Sequence, residues 1–350
     1  MSKAREGFLR VILTMVVALA IGALLIIGIG ENPISAYGAL LQGAFDGKFR
    51  LGTTLAGFTP LLLTSTAFAI AAKAGAFNVG VEGEVFLGGI VAAYIGINWT
   101  FLPKPLLVIA CFLGAMAVAA AWAFIPAVLK AYFDVSEVCV TILMNTVALH
   151  ITSYLVSGPM SAGTANAQTL PVTVTLYQFM TPSSANVGMF IAIAAVIAVI
   201  FMLYKTSWGY KIRTVGGNPS HADYVGISSK KVFIGAMMLS GMLGGMAGCI
   251  EVLGVHGYFL NNFATNLGSN GMLAALIVKN NMFATPFMAF FLAVLSSGGM
   301  GMQQMTGVPK ALVDTIAAVF IIIATMETLF TFKKRRDVRL AAKKEKEGQS

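Results

Sequence analysis

Apolar windows of about twenty residues recur along this chain. They lie near 8–30, 53–72, 84–101, 105–129, 138–157, 187–204, 232–253, 285–302 and 311–330, with a shorter one near 268–278. A helix needs roughly 20 mostly apolar residues to cross the hydrocarbon core of a bilayer, and no other feature limits the fold so strongly. Composition agrees: 57% of the residues are hydrophobic and 11% are charged, against about 25% charged in a soluble domain. The expected fold is all-α, a polytopic transmembrane bundle of about ten spans with inverted repeats and glycine-broken helices. It would occupy residues 1–332, followed by a basic tail over 333–350.

The first window follows Lys3, Arg5 and Arg10. Its apolar run of about 20 residues exceeds the 7–15 of a signal-peptide core, and no small-x-small cleavage site follows closely. An uncleaved first helix is expected. Cys111, Cys139 and Cys249 lie in or at the ends of apolar windows without metal spacing, so they read as small buried hydrophobes.

Lysine and arginine near span ends mark the cytoplasmic side. Sixteen of the 23 bases fall in three segments: the N-terminal tail, 205–231, and the tail after Phe332. The long polar stretch 158–186 has no charged residue and reads as an outside loop. Six crossings then lead from an inside N-terminus to the 205–231 loop, and four more lead to an inside C-terminus. The protein would thus be a multi-pass protein of the cell membrane with both termini cytoplasmic. The net charge of +9 is explained by this rule and by contact with anionic membrane lipid, so no nucleic-acid partner is expected.

Two short stretches echo each other. Asn78-Val79-Gly80-Val81-Glu82-Gly83 and Asn266-Leu267-Gly268-Ser269-Asn270-Gly271 share the pattern Asn, aliphatic, Gly, any, Glu/Asn, Gly. In the expected topology the copies sit in halves of opposite orientation. Gly-interrupted apolar segments at matching places in inverted halves point to a transporter's substrate path. A helix broken at membrane depth needs partners for its freed N–H and C=O groups, or a wet cavity. Asn78, Glu82, Glu84, Asn266 and Asn270 are therefore candidate path residues, and Gly80, Gly83, Gly268 and Gly271 are candidate helix-break residues. Asn145 is a weaker path candidate, since an interhelical hydrogen bond would explain it equally well. Glu82 and Glu84 could instead cap the helix beginning near Glu84, where the helix dipole favours an acid.

In Lys205–Lys231, Gly216-Gly217 is expected to break the chain. Asn218 is a good N-cap and Pro219 suits the first helical position. A short helix should cover about Pro219–Tyr224, Ala222 included, with Gly226 at its exit. Such a capped inside helix could dock a soluble partner, or be an ordinary loop. No G-x-x-x-x-G-K-[ST] phosphate loop and no zinc-spaced His/Cys cluster occurs. An enzyme is not expected, nor a cofactor bound by this chain.

Several stretches together resemble the permease subunits of ABC importers in the simple-sugar and nucleoside branch, related to branched-chain amino acid permeases. They are "FNVGVEGEVFLGG", "SEVCVTILMNTVALHITSYLVSGP", "WGYKIRTVGGNPSHADYVGIS", "SGMLGGMAGCIEVLGVHG" and "GVPKALVD". The resemblance covers roughly 30–330, and the 240–257 run and "MQQMT" look closer to the nucleoside type. It departs where Lys279-Asn280-Asn281 replaces a glycine-led turn and where Glu84 stands in place of a common glutamine. The resemblance implies a second permease subunit, homologous or identical, and a separate ATP-binding cassette subunit carrying ATP and Mg. It further implies a substrate-binding lipoprotein that delivers a small nucleoside. The loop around Gly216, Gly217, Asn218, Pro219, Ala222 and Gly226 would then couple to the ATPase. The alternatives are a ribose-like sugar or branched-chain amino acid permease, and, further off, an ion-coupled secondary transporter using Glu82 or Glu84.

Overall fold

The protein is described here from a computed structural model covering residues 19–316, 318 and 319. The expectations for the extreme N-terminus and for the 333–350 tail lie outside the described residues. The helices in chain order are α1 (Leu19–Gly28), α2 (Pro33–Phe45), α3 (Gly47–Lys73), α4 (Val81–Asn98), α5 (Lys104–Phe133), α6 (Glu137–Ser157), α7 (Gly188–Lys205), α8 (Ser207–Gly217), α9 (Pro219–Tyr224), α10 (Ser229–Ile250), α11 (Leu267–Ile277) and α12 (Thr285–Thr306). α10 continues without interruption into a π-helical turn, Glu251–His256. Among the described residues there are only isolated β-bridges, such as Gln168 with Leu260.

Seven of these helices are long and apolar enough to cross a membrane, or eight if α1 and α2, bent by 115°, form one span. The described residues thus show seven or eight of the about ten spans expected of the whole chain. The 268–278 window is α11, whose 11 residues extend only about 16 Å, roughly half a crossing. The 311–330 window lies mostly outside the described residues.

The chain divides into two compact units, residues 44–297 and the segments on either side of them. In the flanking unit, a methyl group at Gly43 would lie 2.7 Å from the Gly301 Cα. α2 and α12 therefore meet backbone to backbone. The central unit is built around α10, which packs on α5, α4 and α3. Small residues make this possible, as in membrane helix pairs generally. A methyl at Gly88 of α4 would strike the Gly245 backbone, and Gly241 lies against the Ala119 carbonyl of α5. Phe68, Leu63, Ala92, Ala119 and Ile250 are fully buried around this contact. α6 and α7 instead expose Leu143, Tyr154, Ile197 and Phe201 by 60–72%, as lipid-facing helices do. Cys111 and Cys249 are buried as expected, whereas Cys139 is exposed.

The 28 residues Ser229–His256 extend about 42 Å and define two opposite ends. At one end lie α8 and α9. At the other lies the 158–186 segment, where Val172 N–H donates to the Gly257 carbonyl at 2.9 Å and Leu176 N–H donates to the Leu253 carbonyl at 2.8 Å.

Candidate functional site

α3 ends at the α8–α9 end of the bundle. The chain turns there, with Gly75 at φ +81°, and runs back inward before α4 begins at Val81. Such a break leaves backbone groups without helical partners, and two asparagines supply them. Asn78 is fully buried. Its Oδ1 accepts the Gly80 N–H at 2.9 Å, while its Nδ2 donates to Glu84 Oε1 and to Ser240 Oγ, each at 2.9 Å. Asn145 reaches across from α6. Its Oδ1 accepts the Gly83 N–H at 2.8 Å and its Nδ2 donates to the Val79 carbonyl at 2.9 Å. Glu84 Oε2 is buried with no partner among the described residues and lies against Gly244.

The second break follows the π-helical turn. After Gly257 (φ +74°) the chain returns into the bundle, fastened to the 158–186 segment by Thr169 N–H to the Phe259 carbonyl (3.0 Å) and Asn261 N–H to the Ala167 carbonyl (2.9 Å). Asn266, left-handed at φ 64°, occupies the N-cap position of α11. Its N–H donates to Glu82 Oε1 at 3.0 Å, and the Ser269 hydroxyl donates to Glu82 Oε2 at 3.2 Å. The two sequence echoes therefore touch, and the acid of the first caps the helix of the second.

The two helices leave this junction in opposite senses. α4 runs to the 158–186 end, where Thr173 N–H and hydroxyl donate to the Gly96 carbonyl at 3.1 and 2.7 Å. α11 runs to the α8–α9 end, where Lys279 shares a cavity with Lys73 and Gly216. Both positive macrodipole ends thus converge on the Glu82 carboxylate. The residues from Asn266 to Lys279 span about 20 Å, which sets Glu82 deep relative to a hydrocarbon core of about 30 Å. The side chains of Asn266 and Asn270 are exposed beside it.

Three expectations need correction. Gly83, Gly268 and Gly271 lie inside α4 and α11; the breaks fall ahead of them. They permit close approach instead: a methyl at Gly268 would sit 2.5 Å from the Glu82 nitrogen, and one at Gly271 would strike Thr64. Glu82 and Glu84 make no capping bond to α4, whose N-cap position is Gly80. Gly216 and Gly217 do not break the chain but form the last residues of α8. Gly216 is needed there because a methyl would collide with the Lys73 carbonyl. Sequence reading missed Ser240 and Ser269, whose roles depend on partners far along the chain.

The expected short helix is α9. Asn218 Oδ1 accepts the His221 N–H at 3.0 Å, Pro219 is its first residue, and Ala222 is fully buried. Gly226 has φ +80°. Asp223 accepts the Ser229 N–H at 2.8 Å and the Ser229 hydroxyl at 2.7 Å, and these bonds hold its carboxyl below the usual carboxylate range. Tyr224 and Val225 are 91% and 52% exposed.

A many-spanned helical bundle with two broken segments meeting head to head is the architecture of a membrane transporter. The chain belongs to the family of permease components of branched-chain amino acid transport systems, matched over residues 50–325. It is thus a multi-pass membrane transport component rather than an enzyme. It is 33% identical to the glucose ABC transporter permease protein TsgB13 of Haloferax volcanii, over 91% of this chain and 87% of that one. It is 32% identical to the guanosine ABC transporter permease protein NupP of Bacillus subtilis, over 95% and 97%. With the nucleoside ABC transporter permease protein NupB of Lactococcus lactis subsp. cremoris it shares 30% identity over 89% and 88%.

Proposed function

We propose that this chain is the permease subunit of an ATP-driven importer for nucleosides, and that the Glu82–Asn266 junction lies on the substrate path. The observation that carries the path assignment is the pair of exposed amides, Asn266 and Asn270, beside two helix N-termini deep in the bundle. Amides can donate to and accept from ribose hydroxyls or base edges, and half-helix N-termini are common substrate-facing elements in transporters. The nucleoside assignment is supported by the guanosine and nucleoside permeases among the relatives. A second reading, sugar import, is favoured by the glucose permease.

The ATP-binding subunit would dock on α9. In support, α9 is rigidly capped and leaves Tyr224 and Val225 exposed, an apolar tip suited to a protein partner. ATP and Mg would reside on that subunit. A second permease subunit and a substrate-binding lipoprotein complete the proposed assembly. The clustering of basic residues in the N-terminal tail, 205–231 and the C-terminal tail supports an orientation with the α8–α9 end and both termini cytoplasmic.

Competition uptake in a strain lacking the endogenous chain tests the substrate class. Excess guanosine or uridine should suppress labelled nucleoside uptake by the complemented strain, while glucose, ribose and leucine should not. Inhibition by the sugars or leucine without inhibition by nucleosides would sink the nucleoside assignment. Uptake that survives loss of the ATPase but stops with an uncoupler would replace the ATP-driven mechanism with ion coupling.

A further inference from the structure

At the α8–α9 end, residues of α3, α7 and α8 and of the segment after α11 line an open cleft of ≈ 430 Å³, within the size range of small-ligand sites. Its walls carry three cations, Lys73, Arg213 and Lys279, and no carboxylate. None of the three forms an ion pair among the described residues, where the ion pairs involve Arg50, Lys130 and His256. Three cations sharing one cavity repel one another, and an anion relieves that repulsion.

The cations are held in place. The Arg213 guanidinium lies over the Tyr204 ring, 5.4 Å from its centroid. Tyr204 in turn stacks on Phe283 at 5.2 Å. Lys279 and Asn280 occupy consecutive left-handed conformations, φ 55° and 56°, tied back by N–H bonds to the Leu276 and Ala275 carbonyls at 2.9 and 2.8 Å. Asn280 Oδ1 is buried and has no donor among the described residues. A methyl group at Gly217 would meet nothing within 4 Å, so this wall is open space.

The surroundings select among anions. Lys73 and Lys279 stand at the ends of apolar helices, the level where a membrane meets water. Phe283 and Phe287, on the turn bordering the cavity and one helical turn beyond, are 58% and 78% exposed. Basic pockets between helix ends at this level suit lipid headgroups, and exposed phenylalanines suit the acyl chains beside them.

We propose that the cavity is a binding site for the headgroup of an anionic glycerophospholipid. The phosphate sits among Lys73, Arg213 and Lys279. The acyl chains lie along Phe283 and Phe287. The bound lipid pins the end of α11 to α3 and α8, joining the substrate-path helix to the helix that leads into α9.

Native mass spectrometry of the full-length, delipidated protein tests this by titration with phosphatidylglycerol, phosphatidylcholine and inorganic phosphate. The wild type should bind phosphatidylglycerol at least tenfold more tightly than phosphatidylcholine. The triple variant Lys73→Gln, Arg213→Gln, Lys279→Gln should lose that preference, and the charge-preserving pair Lys73→Arg, Lys279→Arg should keep it. Equal affinity for both lipids in the wild type, or an undiminished preference in the triple variant, overturns the proposal. Should inorganic phosphate occupy the site fully while phosphatidylglycerol adds nothing, the ligand is a free phosphate and the lipid assignment fails. If the triple variant misfolds, Lys279→Gln alone should still weaken phosphatidylglycerol binding several-fold, and unchanged binding there is equally fatal.

Discussion

The Glu82 carboxylate accepts the backbone N–H of Asn266 at 3.0 Å, across 184 positions of sequence. This bond brings the N-terminal turn of α4 against the N-terminus of α11 and places one negative charge where two helix dipoles end. Glu82→Ala removes the acceptor for both Asn266 and Ser269, and loss of such a cap costs about 1 kcal/mol. Glu82→Gln keeps a carbonyl for Asn266 but removes the charge. The alanine variant should therefore melt below the wild type, with the glutamine variant close to it. Both should lose at least tenfold in uptake. Wild-type uptake by the glutamine variant would return the carboxylate to a structural role.

The apolar windows revealed the long helices, because a bilayer leaves a chain few other options. Asn78, Gly80 and Asn266 were visible through their repeated spacing, and the Asn218-Pro219 start of α9 was visible because capping is local chemistry. What escaped was non-local. A glycine that lets a helix bend and one that lets another backbone approach carry the same letter, so Gly83, Gly268 and Gly271 were read as breaks. α2 and α8 went unnoticed because each is shorter than a span. Nothing local could link Lys73, Arg213 and Lys279, which lie far apart in the sequence, at the end of α3, within α8 and just after α11.

Asn145 stabilises the first break from a neighbouring helix, so its loss should be felt in the fold before it is felt in transport. Asn145→Leu leaves the Gly83 N–H and the Val79 carbonyl without partners. An unsatisfied buried polar group costs about 1–3 kcal/mol, so for two such groups a loss of about 2–6 kcal/mol is expected, read as a lower melting temperature in detergent. Asn145→Asp retains the acceptor for Gly83 and should fall between leucine and wild type. A leucine variant as stable as the wild type would mean that the break is satisfied in another way.

Backbone contact between α4 and α10 makes Gly88 sensitive to a single methyl group. Gly88→Ala drives a Cβ into the Gly245 backbone, and overpacking of this kind costs about 1–3 kcal/mol. Gly57, exposed within α3, has nothing within 4 Å of its would-be Cβ. Gly57→Ala should be neutral or stabilise by up to about 1 kcal/mol, since glycine is the poorer helix former. Thermal unfolding of the two single variants should shift in opposite directions or differ clearly in size. Equal shifts would show that helix propensity, not packing, governs both sites.

Asp223 gives the α9 loop a pH dependence whose sign is fixed by its partners. The Ser229 N–H and hydroxyl hold the folded carboxyl below its ordinary value, which is about 3.9 in an unfolded chain. The folded state therefore binds the proton less readily than the unfolded one, and ionised Asp223 stabilises the loop. That contribution is complete above the unfolded value and is lost as pH falls through the folded one. Limited proteolysis of the 218–229 segment should thus be slow and constant from pH 8 to about pH 5 and should accelerate below about pH 4. Asp223→Ala should be cut faster at every pH, with the difference from wild type narrowing in acid. Asp223→Asn, which can still accept one bond from Ser229, should lie between them and lack the acid transition. A wild-type loop whose cleavage does not change below pH 4, or an alanine variant cut no faster at pH 7, would show that the Asp223–Ser229 bonds do not hold α9 in place.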